Sequence, residues 1–285
     1  MDTNSKQRLL LVAIVMAITT AIFFLGKNNP TALVGDAKNG KTNVANGSRR
    51  AATGENVKAT RKGNLEAIRQ QAMNQLAPTA KDSLMAFRKQ GDLRSLARFW
   101  QQREYFPLAG AYYLQLARKD STLANWRLAA NTLFKAEKGV QDSATFHYML
   151  DKAQAALKTV VKMAPDDVDA KADLAVTYVD QQQVMKGVGL LKEVLAADPN
   201  NQKALFYLGA LSLQSNQLEK ALERFEKLVD LQPQNPFNYY YLGQVYLRKQ
   251  DRERAISAFT KYRDRLNDPK LKQQAQETIN QLQKN

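Results

Sequence analysis

The chain has 285 residues, with 42 Lys/Arg against 27 Asp/Glu, one histidine and no cysteine, for a formal charge of +15. The absence of cysteine excludes disulfides, thiolate metal sites, a thiol nucleophile and a lipidated N-terminal cysteine. Abundant Ala, Leu, Gln and Lys with sparse Gly and Pro is a helical composition, long enough for one or two domains.

The charge is loaded toward the front. Residues 1–64 carry ten Lys/Arg against Asp2, Asp36 and Glu55, and most of the remaining excess lies between Arg69 and Arg127. The C-terminal half is near balance. Two readings follow: a solvated, solubilising face, or an anionic surface such as lipid headgroups near the front.

After a short tail at residues 1–8, Leu9 to Leu25 is apolar except for Thr19 and Thr20 and holds no charge. At about 1.5 Å rise per residue such a helix just covers the bilayer hydrocarbon. The threonines can bond back to the preceding turn. Gly-Lys-Asn-Asn-Pro follows, which is a poor cleavage site, so residues 9–26 are expected to be an uncleaved, single-pass anchor. Lysines and arginines flank it almost evenly, and an N-terminal anchor before a long domain favours placing that domain outside the cytoplasm. Ala13, Ala17 and Ala21 share one face, where two such helices could pack.

Residues 27–63 are rich in Gly, Asn, Thr, Ser and Lys and lack apolar periodicity. They read as a flexible basic linker, with a reach on the order of 30–40 Å and lysines available to anionic lipid. Residues 64–89 read as one or two leading helices.

From Asp167 the sequence repeats every 34 residues. Leu174, Leu208 and Leu242 precede Ala175, Gly209 and Gly243. Gly187, Ala221 and Ala255 follow, then Leu191, Phe225 and Phe259. Pro165, Pro199 and Pro233 close units, with Asn267 in the next such place. Small residues on both helices of a hairpin let the backbones approach. Large ones fill the groove to the neighbour, and proline ends the second helix. A lone hairpin cannot bury its apolar face, so the units must stack.

This pattern resembles the tetratricopeptide repeat. Leu208-Gly209, Ala221, Phe225 and Pro233 carry it in one unit, and Tyr239, Leu242-Gly243, Tyr246, Ala255 and Phe259 in the next. The resemblance implies an all-α, right-handed superhelical solenoid of helix hairpins. Five units are expected, at residues 90–122, 123–167, 168–201, 202–235 and 236–269, with a polar-backed capping helix at 270–285. The second unit departs from the pattern: about eleven extra residues, roughly Ala136 to Phe146, separate Leu133 from Ala153. Longer helices or a protruding loop would absorb them.

The resemblance also implies that protein or peptide clients bind a concave groove lined by the first helix of each unit. At helical spacing those positions are Val176 and Asp180, then Phe206, Ala210 and Leu213, then Phe237, Tyr240, Gln244 and Arg248. Some relatives grip a carboxylate there with lysines and asparagines. Here Asp169, Ala172, Val176, Lys203, Phe206 and Ala210 hold those places, so the expected groove is aromatic and mostly apolar. Phe206 and Tyr207 could equally be core. Of Tyr239, Tyr240 and Tyr241, at least one should be accessible, because three successive helical residues do not share a face.

No catalytic pattern emerges. His147 stands alone, no phosphate loop follows a strand, and Asp166-Asp167 after Pro165 read as a helix start rather than a carboxylate pair. No cofactor, metal, enzyme activity or specific nucleic-acid partner is expected. The leading expectation is an inner-membrane scaffold with a periplasmic repeat domain serving envelope assembly. The alternatives are a cytosol-facing receptor for chaperones or precursors, and a binder of anionic lipid or nucleic acid through the basic front.

Overall fold

The computed structural model describes residues 65–136 and 143–284, and every described element is a helix or a turn. The expected anchor at 9–26 and linker at 27–63 lie outside the described residues. Among the described residues no helix is long and apolar enough to cross a membrane.

Among the described residues thirteen helices follow one another: α1 (65–74), α2 (Pro78–Gln90), α3 (Leu93–Gln101), α4 (Phe106–Lys119), α5 (Leu123–Ala136), α6 (Ser143–Met163), α7 (Val168–Asp180), α8 (Val184–Ala197), α9 (Gln202–Gln214), α10 (Leu218–Leu231), α11 (Pro236–Arg248), α12 (Arg252–Arg265) and α13 (Pro269–Lys284). From α7 onward they pair as hairpins, α7 with α8, α9 with α10 and α11 with α12. The pairs α3–α4 and α5–α6 precede them. Each pair packs on the next, and α9 touches both α7 and α8.

Local chemistry sets the period. α6, α8 and α10 each stop two residues short of Pro165, Pro199 and Pro233. Two residues past each proline, Asp167, Asn201 and Asn235 cap the following helix. Their side chains accept from the backbone N–H of Ala170 at 2.9 Å, Ala204 at 3.1 Å and Phe237 at 3.1 Å. Asp167 is therefore a helix cap.

The turn inside each hairpin is equally regular. Gln182, Asn216 and Gln250, 34 residues apart, all have φ near +60°. The N–H of the next residue closes back on the carbonyl five residues earlier, Gln183 on Tyr178 and Gln217 on Ser212 at 2.8 Å and Asp251 on Tyr246 at 2.9 Å. Glu104 closes the α3–α4 turn the same way, with Tyr105 N–H on Trp100 O at 3.0 Å. These are left-handed C-terminal caps made without glycine.

The small residues sit in the tight contacts their spacing implies. Ala175, Ala221 and Ala255 are fully buried. A Cβ on Gly209 would lie 3.0 Å from the ring of Phe225, and one on Gly243 2.9 Å from that of Phe259. At Gly187 it would meet Val179 Cγ2 at 2.6 Å and Ala175 O at 2.8 Å. Phe225, Phe259 and Leu191 fill the space those glycines and alanines leave.

In the second unit the extra residues lengthen α6, which has 21 residues where α4, α8, α10 and α12 have 14. Ala153, Leu157 and Val160 remain buried, so the added turns extend the N-terminal end and leave the packing register intact. At the far end, Leu271, Ala275 and Ile279 bury one stripe of α13, while its other faces are Gln, Lys and Glu. This closes the apolar stack against water.

Candidate functional site

The first helices α3, α5, α7, α9 and α11 form a row, one wall of the stack, in which each is tied to the next or to its cap. Direct ties cross between neighbours. Arg94 on α3 donates to Asn125 Oδ1 on α5 at 2.7 Å. Lys203 on α9 pairs with Asp173 on α7. Phe206 on α9 meets Tyr241 on α11 edge to face at 5.1 Å, and Arg248 on α11 donates to Leu213 O at 2.6 Å.

Burial narrows the expected groove in the back half. Val176, Ala210, Leu213, Tyr240 and Gln244 are buried, whereas Asp180, Phe206, Phe237 and Arg248 are half-buried. The expectation that one of the three tyrosines would be accessible is corrected: Tyr239, Tyr240 and Tyr241 are 5%, 7% and 4% exposed. α11 is surrounded. Tyr241 stacks on Phe225 of α10 at 5.0 Å with rings nearly parallel, and Phe206 closes its edge. Tyr240 lies against Phe259 at 6.0 Å and Tyr262 at 5.3 Å, both on α12. Tyr239 donates to Pro233 O at 3.1 Å and lies under the Arg265 guanidinium at 4.4 Å. Successive ring-sized residues thus find three different neighbours, which a single helix face could not supply.

The electrostatics follow from this burial. Desolvation pushes the Tyr262 phenol up to about 12, with Asp268 adding to the shift, and holds Tyr240 and Tyr241 well above the ordinary phenol range. The Tyr240 hydroxyl is buried without a hydrogen-bond partner, Gln244 lying close but outside bonding geometry. Partial burial lowers the Arg224 guanidinium on α10, which donates to Ser212 Oγ at 2.5 Å. Among the described residues no three His, Cys, Asp or Glu side chains converge as metal ligands. His147 is exposed, with Phe146 edge-on at 5.4 Å.

The front of the same wall is different. On α5, Arg127, Asn131 and Lys135 are all exposed, and on α3 Arg98 is exposed beside half-buried Arg94. Arg127 forks onto Asp167 Oδ2 through Nε at 3.0 Å and Nη2 at 2.7 Å. Arg98 and Lys135 make no ion pair among the described residues. These positions lie outside the expected groove, which begins only at the third unit. The signal was there in the spacing of four along 94–98 and 127–131–135.

Residues 186–242 and 238–265 match tetratricopeptide-repeat family models. Among solved structures, the chain is similar to a tetratricopeptide repeat protein from Parabacteroides merdae, with 14% identity, a TM-score of 0.54, and coverage of 79% of this chain and 87% of that one. It is similar to MamA from Desulfovibrio magneticus RS-1, residue 41 to the end, at 23% identity and TM-score 0.50, covering 60% of this chain and 92% of that one. YrrB, described as a TPR protein with an unusual peptide-binding site, aligns at 19% identity and TM-score 0.48 over 68% of this chain and 96% of that one. No curated protein matches the sequence. The described chain is an all-helical, tetratricopeptide-repeat-like solenoid, and its C-terminal units carry the repeat itself.

Proposed function

We infer that the chain is a protein-binding scaffold which receives a client segment along its row of first helices. The observation that carries this is the wall itself. Along the row of first helices, Arg127 and Asn131 are exposed and Phe206 and Phe237 are half-buried, so polar and aromatic groups are both accessible. Exposed polar groups can orient a backbone, and partly covered rings can accept apolar side chains. Leu9–Leu25 tethers the scaffold to the inner membrane, and the repeats lie on the periplasmic side, where they hold clients for envelope assembly. The charge-free, largely apolar run supports the tether, and a long domain after an N-terminal anchor supports the periplasmic side.

In-cell photocrosslinking tests the scaffold. A crosslinker at Asn131 or Phe206 should trap discrete partners that one at Lys192, on the outer helix α8, does not. Equal trapping from all three positions would refute a specific wall. A topology reporter fused after Asn285 should be active only outside the cytoplasm, and the reverse pattern would move the domain to the cytosol.

A further inference from the structure

We propose that the front of the wall, formed by α3 and α5, is the seat of an acidic protein segment, one rich in Asp and Glu. This rests on the scaffold reading and names the chemistry of its partner.

Three observations carry it. The cations are aligned: Arg94 and Arg98 on α3 and Arg127 and Lys135 on α5 lie at i, i+4 and i, i+8, and Arg94 of α3 bonds Asn125 of α5. Along a helix, four residues span about 6 Å, close to the spacing of alternate residues on an extended peptide, so carboxylates on one face of a strand meet successive cations. Two of these cations are available: Arg98 and Lys135 are exposed and form no ion pair among the described residues, whereas Arg94 is held by Asn125 and Arg127 by Asp167. The nearby acids already have partners. Asp92 caps α3 through Ser95 N–H at 3.0 Å, Asp120 accepts from Asn125 at 2.8 Å, and Asp167 holds Arg127 and the start of α7. Finally, residues 65–136 carry eleven Lys/Arg against five Asp/Glu, whereas residues 143–284 carry twenty against seventeen.

The neighbouring helix selects the class of partner. α7 presents exposed Asp169 in its first turn, and Asp173 beyond it is held by Lys203. A nucleic acid running along the row would carry its phosphates past Asp169 and be repelled there. A short acidic segment confined to α3 and α5 would not. Asn131, between the two α5 cations, offers an amide that can bond a peptide backbone.

The test uses the full chain in nanodiscs of zwitterionic lipid. Two short fluorescein-labelled peptides are titrated by anisotropy, one alternating Glu with Leu and one with Gln in place of every Glu. The acidic peptide should bind roughly tenfold more tightly, with affinity falling as salt is raised. Arg98→Glu with Lys135→Glu should weaken it by at least about tenfold, Arg98→Gln with Lys135→Gln by less, and Lys192→Glu on α8 should leave it unchanged. Unaltered circular dichroism melts establish that both double variants fold. Equal affinity for the Gln peptide, or full affinity in the charge-reversed variant, would overturn the acidic seat and leave the scaffold standing. Binding to neither peptide, with crosslinks at Asn131 empty in cells, would overturn both. Tighter binding to single-stranded DNA or to phosphatidylglycerol vesicles, lost in the same variants, would replace the acidic segment with that polyanion.

Discussion

The first and last pairs of units use the same hairpin and treat its first helix in opposite ways. In α11, residues 238–246 are buried without interruption, and ring stacks consume the side chains that would otherwise line a groove. In α5, the outward positions 127, 131 and 135 remain in solvent and carry charge or an amide. One end uses its first helix for cohesion and the other leaves it in solvent. Side-chain size explains the difference. Rings as large as Tyr240 and Tyr241 reach across to α10 and α12, whereas Arg and Lys keep their heads in water.

Substitution can break this contrast. The largest effect should come from Ala221→Asp. Its side chain is fully buried between helices, and a carboxylate there has no partner. A loss on the order of 4 kcal/mol or more, seen as collapse of the urea or thermal transition, is expected. Arg98→Glu at the front should stay within about 0.5 kcal/mol of the parent. Tyr241→Ala should cost about 3–5 kcal/mol, because it removes the ring stacked on Phe225 and enclosed by Phe206. A matching loss for Asn131→Ala would mean that the front wall is core as well.

A finer comparison lies within α8. Gly187→Ala forces a methyl to 2.6 Å from Val179 Cγ2, whereas Gly189 has nothing within 4 Å of a built Cβ. Gly187→Ala should destabilise by about 1–3 kcal/mol, and Gly189→Ala should stabilise by about 0.5–1 kcal/mol through helix propensity alone. Smaller still is Tyr240→Phe, which removes a buried hydroxyl that has no partner. Stability should hold or rise by about 1 kcal/mol, and a clear loss would reveal a bonded water or ligand at that oxygen.

Alkaline titration reads the same buried cluster. Phenols in the unfolded chain ionise near their ordinary value of 10, while Tyr262 in the fold waits until about 12. Between those values the unfolded state binds fewer protons, so stability is flat below about pH 10 and falls above it. Tyr262→Phe should blunt the fall in melts taken from pH 9 to 11.5.

Much of the architecture was legible in the sequence because its causes are local and periodic. Prolines at 165, 199 and 233, with a capping Asp or Asn two residues on, mark each helix start wherever the stack is placed in space. Small residues at 209 and 221 require a close helix contact on any reading of the hairpin. The wall was less legible, since accessibility depends on three-dimensional neighbours. Spacing puts Tyr240 and Gln244 on one stripe of α11, but it does not reveal that both are buried there or that Phe259 and Tyr262 cover Tyr240. The extra residues before Ala153 could be counted but not assigned between loop and helix, because two added turns of α6 preserve the same register as a loop would.

The left-handed residues that close each hairpin have a separate consequence for engineering. Glu104, Gln182, Asn216 and Gln250 bear side chains where glycine would relax the backbone, and they lie in the turns just past the ends of the first helices. Each is a separate thermostat setting: glycine at several of these corners would shift the melting point in small steps while leaving the side chains buried within each hairpin as they are.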